Sequence, residues 1–204
     1  MALVSTTVLK EYLPEIQGTG ADSDLSSLII RVESAIATWL GFPIADSSSS
    51  PSLDSATFTI YLDGPAYSDP LVLNIPLRPL VSITSIHSDP NQEYDSNSLI
   101  DASTYSIDLK LGRVFLSPTN ATDGFDRAFR ALKVIAVAGY ATATTPSPII
   151  HAICIWASQL QRFKTSQGKE NVSQRGGSVT LSPKTMPLEA RQLLYKYRNT
   201  GAII

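Results

Sequence analysis

Residues 22–43 read DSDLSSLIIRVESAIATWLGFP, and the spacing of their apolar side chains decides the first half of the fold. Leu25, Leu28, Ile29, Val32, Ile36 and Trp39 recur at helical intervals, which places them on one face of a single helix. Asp22, Ser23 and Asp24 supply acceptors and negative charge at its start, where free backbone N–H groups and the helix dipole favour them. Gly41 suits the left-handed position after a helix, and Pro43 blocks continuation. Upstream, Thr6 or Thr7 is expected to cap a short helix through Tyr12, which Pro14 and Gly18 interrupt.

Downstream the period changes from helical to two. After a polar linker at 44–56 (IADSSSSPSLDSA), Phe58, Ile60 and Leu62 alternate with Thr57, Thr59 and Tyr61, the pattern of a half-buried strand. Further strands are expected at 71–75, 81–86, 105–107, 113–116 and 132–137, with Lys110-Leu111-Gly112 as a tight hairpin connection. Helix resumes after Pro146 and Pro148, where Ile149, Ile153, Trp156, Ala157, Leu160 and Phe163 share a face. The expected core sets Leu28, Val32, Ile36 and Trp39 against Ile153, Trp156 and Leu160, at roughly 1.5–3 kcal/mol for each large side chain buried. A flexible loop is expected at 165–182, containing Gly168, Gly176 and Gly177. A last helix follows within 183–204, with Ala190, Leu193, Leu194 and Tyr197 on one stripe, and then an apolar tail.

The organisation expected is therefore N-terminal helices at 1–43, a linker at 44–56, a β-rich insert at 57–145, a long core helix at 146–164, a loop at 165–182 and a C-terminal helix with tail at 183–204. In class terms it is α+β, with a helical core from both ends of the chain and a small antiparallel sheet or barrel inserted between them.

Charge is divided unevenly. Residues 1–150 carry eight Lys/Arg against sixteen Asp/Glu, while residues 151–204 carry eight against two. Such a split lets copies of one chain attract one another, or lets the basic end meet an acidic partner. No run reaches the eighteen or so apolar residues of a membrane helix. The opening MALVSTTVLKEYL lacks the charged and apolar regions of a secretion signal, and one cysteine, Cys154, precludes an intrachain disulfide. A protein of a reducing, intracellular compartment is expected.

The search for chemistry yields little. His151 and Cys154 share a helix face as a nucleophile pair or two metal ligands would, but His87 is the one other histidine and no second cysteine exists. Packing is the better reading of both. Gly168-Lys169-Glu170 lacks the spacing of a phosphate-binding loop, and no G-x-S-x-G elbow occurs. Asp63, Asp69, Asp89, Asp95 and Asp101 fall in turns, where aspartate caps its own backbone, and show no calcium-loop spacing. Neither a catalytic residue nor a metal ligand nor a cofactor is expected.

The order of segments carries a resemblance. Ala35-Ile-Ala-Thr-Trp-Leu-Gly-Phe-Pro43 at the end of a capped helix resembles the opening of phage head–tail connector (adaptor) proteins of tailed double-stranded DNA bacteriophages. Tyr61-Leu-Asp-Gly-Pro65, Leu71-Val-Leu-Asn-Ile-Pro76 and Arg78-Pro-Leu-Val-Ser-Ile-Thr-Ser-Ile86 look like the β-rich insert of many members. Val134-Ile-Ala-Val-Ala-Gly-Tyr140 is similar to the family's V-x-Y-x-A-G-Y strand, with Ala136 in place of the first tyrosine. Gln159-Leu-Gln-Arg-Phe-Lys164, a Gly/Ser loop and Met186-Pro-Leu-Glu-Ala-Arg-Gln-Leu-Leu-Tyr-Lys-Tyr-Arg198 resemble its closing helix, loop and helix.

The resemblance covers nearly the whole chain, and it implies a structural protein without enzymatic activity. It implies a homo-oligomeric ring, commonly of twelve copies, in the virion neck beneath the portal protein. Such a ring extends the DNA channel, passes double-stranded DNA without sequence-specific binding, and docks a stopper or tail protein, with no membrane involved and assembly in the host cytoplasm. In similar proteins the C-terminal segment reaches the portal, which assigns that contact here to Arg191, Lys196, Tyr197, Arg198, Ile203 and Ile204. Gly168, Lys169, Arg175, Gly176 and Gly177 are expected to order against a neighbouring copy. A basic lumen would hold DNA by releasing phosphate counterions, so the acidic residues 1–150 are expected to supply more lumen surface than the basic end. The alternatives are a stopper, tail-completion or other neck protein, a cytoplasmic hydrolase using His87 or His151, and a free DNA-binding protein using 162–198.

Overall fold

The computed structural model describes residues 2–65, 69–117, 124–164, 171–174, 177–180 and 185–198. They form two compact units, residues 1–40 with 141–198 and residues 41–140. The fold is α+β, and its main sheets are open three-stranded layers rather than a closed barrel.

The first unit is helical. α1 (Thr6–Glu11) is capped by Ser5, whose hydroxyl accepts from the Val8 N–H at 3.3 Å; the cap is thus one residue before the two threonines expected to serve. α2 (Asp22–Leu40) carries Asp22 and Asp24 in its first turn and buries Leu25, Leu28, Ile29, Val32, Ile36, Ala37 and Leu40. α3 (Ser147–Phe163) starts at the Pro146–Pro148 pair and buries Ile149, Ala152, Ile153, Cys154 and Ala157. α4 (Leu188–Leu194) packs on α3 through Ala190 and Leu194, and one 3-10 turn, Tyr195–Tyr197, follows it. Of the expected core, Leu28, Val32, Ile36 and Ile153 are buried, whereas Trp39, Trp156 and Leu160 are half-buried, at the margin of the α2–α3 contact.

Glu33 is a buried carboxylate in the middle of α2. Its Oε1 accepts from the backbone N–H groups of Leu3 and Val4, at 2.8 and 3.1 Å, and so pins the chain ahead of α1. Both of those residues are buried. At the surface, Arg162 bonds Glu15 at 3.0 Å and the Tyr12 carbonyl at 2.8 Å, Lys164 bonds Asp24 at 2.9 Å, and Lys10 pairs with Asp22.

The second unit holds β1 (Ala56–Leu62), β2 (Val72–Asn74), β3 (Leu80–Ser88), β4 (Tyr105–Asp108), β5 (Arg113–Leu116) and β6 (Leu132–Ala138). β6 lies between β1 and β3, and β5 between β2 and β4, all antiparallel. Along β6, Leu132, Val134, Ala136 and Ala138 point into the core and the residues between them outward, the period-two pattern of a strand with one covered face. Ala136 pairs with Phe58 on one side and Ile83 on the other, so a small side chain stands between two large ones. Phe58, Ile75, Leu77, Ile86, Val114 and Phe125 complete one core beneath both sheets.

Gly139 and Gly112 are among the glycines that close approaches require. Gly139 follows β6 at φ +109, and a Cβ there would lie 2.4 Å from the Asp54 carbonyl oxygen. Gly112 closes the β4–β5 hairpin at φ +60, where a Cβ would come within 2.9 Å of the Ile75 oxygen. Residues 44–56, read above as a polar linker, are fastened to this unit. Asp46 accepts from the Thr59 N–H and hydroxyl at 2.9 and 2.7 Å, and Ala45 and Leu53 are buried. The polar side chains point out, while the two apolar ones anchor the segment.

Of the expected loop 165–182, residues 171–174 and 177–180 are described. Within it β7 (Asn171–Gln174) pairs antiparallel with β8 (Gly177–Thr180), Gln174 opposite Gly177.

Candidate interaction surfaces

Cys154, His151 and His87 each have a defined setting in the structure. Cys154 is fully buried, and burial, with Glu11 and Glu33 nearby, pushes its thiol up to about 12, far from the thiolate a nucleophile needs. The exposed His151 places its Nδ1 2.7 Å from the Tyr12 hydroxyl, whose pKa burial raises further. His87 lies 3.2 Å from both the Asp95 carbonyl and the Ser98 hydroxyl, in the other unit. No group of three or more His, Cys, Asp or Glu among the described residues is arranged to hold a metal.

What the structure does offer are surfaces. On the helical unit a groove of about 460 Å³ runs between α2 and α3. Leu28, Val32, Ala35, Trp156 and Leu160 form its apolar lining, and Asp24, Arg31, Gln161 and Lys164 its polar edge. The Lys164 ammonium hydrogen-bonds Asp24 and holds that carboxyl below its usual range. The indole N–H of Trp156 is buried and has no acceptor among the described residues. Trp156 and Leu160, half-buried, line this groove.

The C-terminal residues of the same unit are basic and aromatic. Arg191 stands exposed in the last turn of α4, where a cation complements the helix dipole. Lys196 and Arg198 are exposed and Tyr197 half-buried, with the Lys196 ammonium 4.9 Å from the Tyr197 ring centre. The Arg198 guanidinium lies 5.6 Å above the Trp39 ring, at the end of α2. Leu188 and Tyr195 are also exposed, 69% and 73%, so the surface around α4 mixes cations with large apolar groups. Ile203 and Ile204 lie outside the described residues, as do Gly168, Lys169, Arg175 and Gly176, while Gly177 opens β8.

A second surface, on the β unit, had no signal in the sequence reading. Tyr61 and Tyr94 meet at 5.4 Å, with the Arg130 guanidinium 4.6 Å above Tyr61 and the Lys133 ammonium 5.7 Å from Tyr94. Gln92, Tyr94 and Arg130 have positive φ, of 64, 50 and 51 degrees. Asp63 accepts from the Arg130 N–H at 2.8 Å, Gln92 donates to the Phe129 carbonyl at 3.0 Å, and the Tyr94 hydroxyl donates to the Arg130 carbonyl. These bonds hold a left-handed corner whose tip, Phe129, is 70% exposed beside a depression of about 610 Å³. A large apolar side chain on a fixed corner is a feature of contact surfaces.

Among solved structures the chain is similar to a chain in the neck of an empty GTA particle computed with C6 symmetry. The TM-score is 0.58 at 12% identity, covering 98% of this chain and 91% of that one. It is also similar to a chain in the neck of the native GTA particle computed with C12 symmetry, with TM-score 0.53 and 14% identity over 96% and 91%. A third similarity is to a chain of the virion of the native gene transfer agent, with TM-score 0.54 and 13% identity over 99% and 96%. No protein-family model matches the chain, and no curated protein matches it in sequence.

Proposed function

We propose that this chain is a structural subunit of a phage-like virion neck, acting as a head–tail connector that forms a homo-oligomeric ring under the portal. The observation that carries the proposal is likeness across the whole chain. It spans 98% of this chain and 91% of a chain in the neck of the GTA particle, helices and sheets together, and the order of sequence motifs supports the same reading. In the role proposed, the ring extends the DNA channel and offers its far face to a stopper or tail protein. Arg191, Lys196, Tyr197, Arg198, Ile203 and Ile204 contact the portal, and the stretch holding Gly168, Lys169, Arg175, Gly176 and Gly177 contacts a neighbouring copy. The acidic residues 1–150 supply more lumen surface than the basic C-terminal end, which keeps phosphates from being held.

Native mass spectrometry of the chain, alone and mixed with its particle's portal ring, tests the proposal. Portal-bound assemblies of about twelve copies are expected, the number the family resemblance implies and one compatible with the C12 symmetry of one similar neck. A monomer that ignores the portal would overturn the connector role and favour a stopper or tail-side protein.

A further inference from the structure

We infer that the β7–β8 hairpin of one copy adds to the free edge of β2 in the next copy, making one continuous sheet across the contact between subunits. The inference rests on the neighbour contact proposed above for the stretch holding Gly177, and it names the surface that receives that stretch.

The hairpin has backbone groups to pair. Among the described residues β7 and β8 pair only with each other, Asn171 opposite Thr180, and join neither three-stranded sheet. A two-stranded hairpin is marginal in water by itself, and its outer edges present N–H and C=O groups that a further strand satisfies. The β unit offers four strand edges, at β1, β3, β2 and β4. At β1 the Asp46 N–H donates to the Thr57 carbonyl at 3.1 Å and the Asp46 carboxylate accepts from the Thr59 N–H at 2.9 Å, so that edge is in use. At β3 the Ile100 N–H donates to the Ile86 carbonyl at 2.9 Å, and Leu99 bridges to His87.

β2 has both an edge and a seat beside it. The Leu116 N–H bonds the Leu71 carbonyl at 2.9 Å, and the Ile75 N–H bonds the Gly112 carbonyl at 2.7 Å. These bonds turn residues 71, 73 and 75 towards β5. The alternation of an antiparallel ladder then directs the backbone of Val72 and Asn74 to the other side. The Asn74 N–H and carbonyl are therefore the groups a new strand meets. The depression of about 610 Å³ lies along that side, lined by Val72, Leu73 and Asn74 together with Tyr61, Leu62 and Phe129. β4, the remaining edge, lies across β5 from it.

Charge selects the occupant. Residues 41–140 carry six Lys/Arg against eleven Asp/Glu, and Asp63 and Asp69 border the depression. Residues 165–184 carry three Lys/Arg against one Glu. A basic stretch thus meets an acidic seat, whereas β2 against β2 would bring acid to acid. The hairpin and the β2 edge are different surfaces, so the contact runs head to tail, the kind that closes a ring. Main-chain bonds supply its affinity, as in strand addition generally.

Hydrogen exchange on the chain as monomer and as assembly, with its particle's portal ring and without it, tests the inference. In the parent assembly Val72–Asn74, β7 and β8 are expected to gain protection together. Asn74→Pro removes the N–H that faces the new strand and no bond to β5, so the variant is expected to lose assembly while β6 stays protected in its monomer. Asn74→Ala keeps that N–H, loses the side-chain bond to Arg113, and is expected to assemble like the parent. Unimpaired assembly of Asn74→Pro overturns the inference; if the proline unfolds the β unit, the exchange pattern of the parent decides. A parent assembly whose β2, β7 and β8 exchange as in the monomer overturns this inference alone and leaves the neck reading standing. Protection gained at β4 in place of β2 overturns it too. So does protection of β2 and the hairpin already in the monomer, which gives the edge to the chain's own hairpin. An assembly that ignores the portal overturns the connector role, and the same exchange readings still decide the inference. A chain that stays monomeric under both conditions overturns both.

Discussion

Apart from Glu33, whose Oε1 accepts from the Leu3 and Val4 N–H groups, the carboxylates bonded in the two units face different partners. In the helical unit Glu15, Asp22 and Asp24 face cations, namely Arg162, Lys10 and Lys164. In the β unit Asp46, Asp63, Asp89, Asp95, Asp101 and Asp108 face backbone N–H groups, each accepting at least one at 2.8–3.1 Å. The acidic excess of residues 1–150 therefore has a structural cause. It follows from the need to close many short turns, and any effect of that charge on a partner is a consequence of building the sheets this way. The helical unit bears a groove lined by apolar side chains of α2 and α3. One unit is fixed by its loops and the other by its apolar stripes.

The largest expected effect tests whether the units are as separate as that contrast implies. Phe58→Ala removes a fully buried ring from the core beneath β1, β6 and β3, at a cost of about 3–5 kcal/mol. Hydrogen exchange is expected to show lost protection along β6, with α2 and α3 keeping theirs. Equal loss in both units would mean that they unfold together, and the contrast would be one of chemistry without independent stability. Gly139→Ala strikes the same unit through the backbone. At φ +109, with a Cβ 2.4 Å from the Asp54 oxygen, it is expected to cost about 3 kcal/mol in chemical denaturation. A neutral result would show that the 53–54 segment yields easily.

Glu33→Ala is the matching test on the helical side. It leaves the Leu3 and Val4 N–H groups without their acceptor, and because the chain ahead of α1 is free to peel into water, the cost is held to about 2 kcal/mol. Faster exchange at Leu3 and Val4, with α3 unchanged, is the expected signature. Global destabilisation as large as that of Phe58→Ala would make this carboxylate the organiser of the helical core.

What the sequence revealed, and what it withheld, follows the same division. Periodicity placed α2, α3 and all six strands of the β unit, because a helix stripe and an alternating strand are local patterns. It puts Trp39, Trp156 and Leu160 in the core, where the structure leaves them half-buried, for periodicity gives the apolar face of a helix without saying how far its neighbour covers it. Glu33 was invisible for a similar reason. Its partners lie about thirty residues upstream, and a lone acid on an apolar face carries no local signal. The Tyr61, Tyr94 and Arg130 cluster joins three separate segments, and its positive-φ residues are none of them glycine or asparagine, the types that advertise such turns. The hairpin β7–β8 lay in a stretch read for its glycines alone, although Val172 and Val179 now stand opposite each other in it.

The smallest expected effect also sharpens the comparison most directly, because it separates a carboxylate facing N–H groups from one facing a cation. Asp89 accepts from Asn91 at one oxygen and from Glu93 and Tyr94 at the other, and these bonds hold its carboxyl below the ordinary range, that to Tyr94 foremost. Its contribution is therefore complete above the unfolded pKa and fades as pH falls through the lower folded one. Asp89→Asn turns one acceptor into an N–H₂ that faces N–H donors, so the variant is expected to denature more easily at about pH 7 and to converge on the parent near about pH 3. The difference at neutral pH is expected to survive high salt, since Asp89 is held by directed bonds rather than by a distant charge. Lys164→Ala removes the partner of Asp24, an exposed pair, and its smaller effect is expected to shrink as salt is added. Equal salt dependence for the two substitutions would mean that the turn aspartates act through net charge. In that case the acidity of the β unit would no longer be explained by its turns.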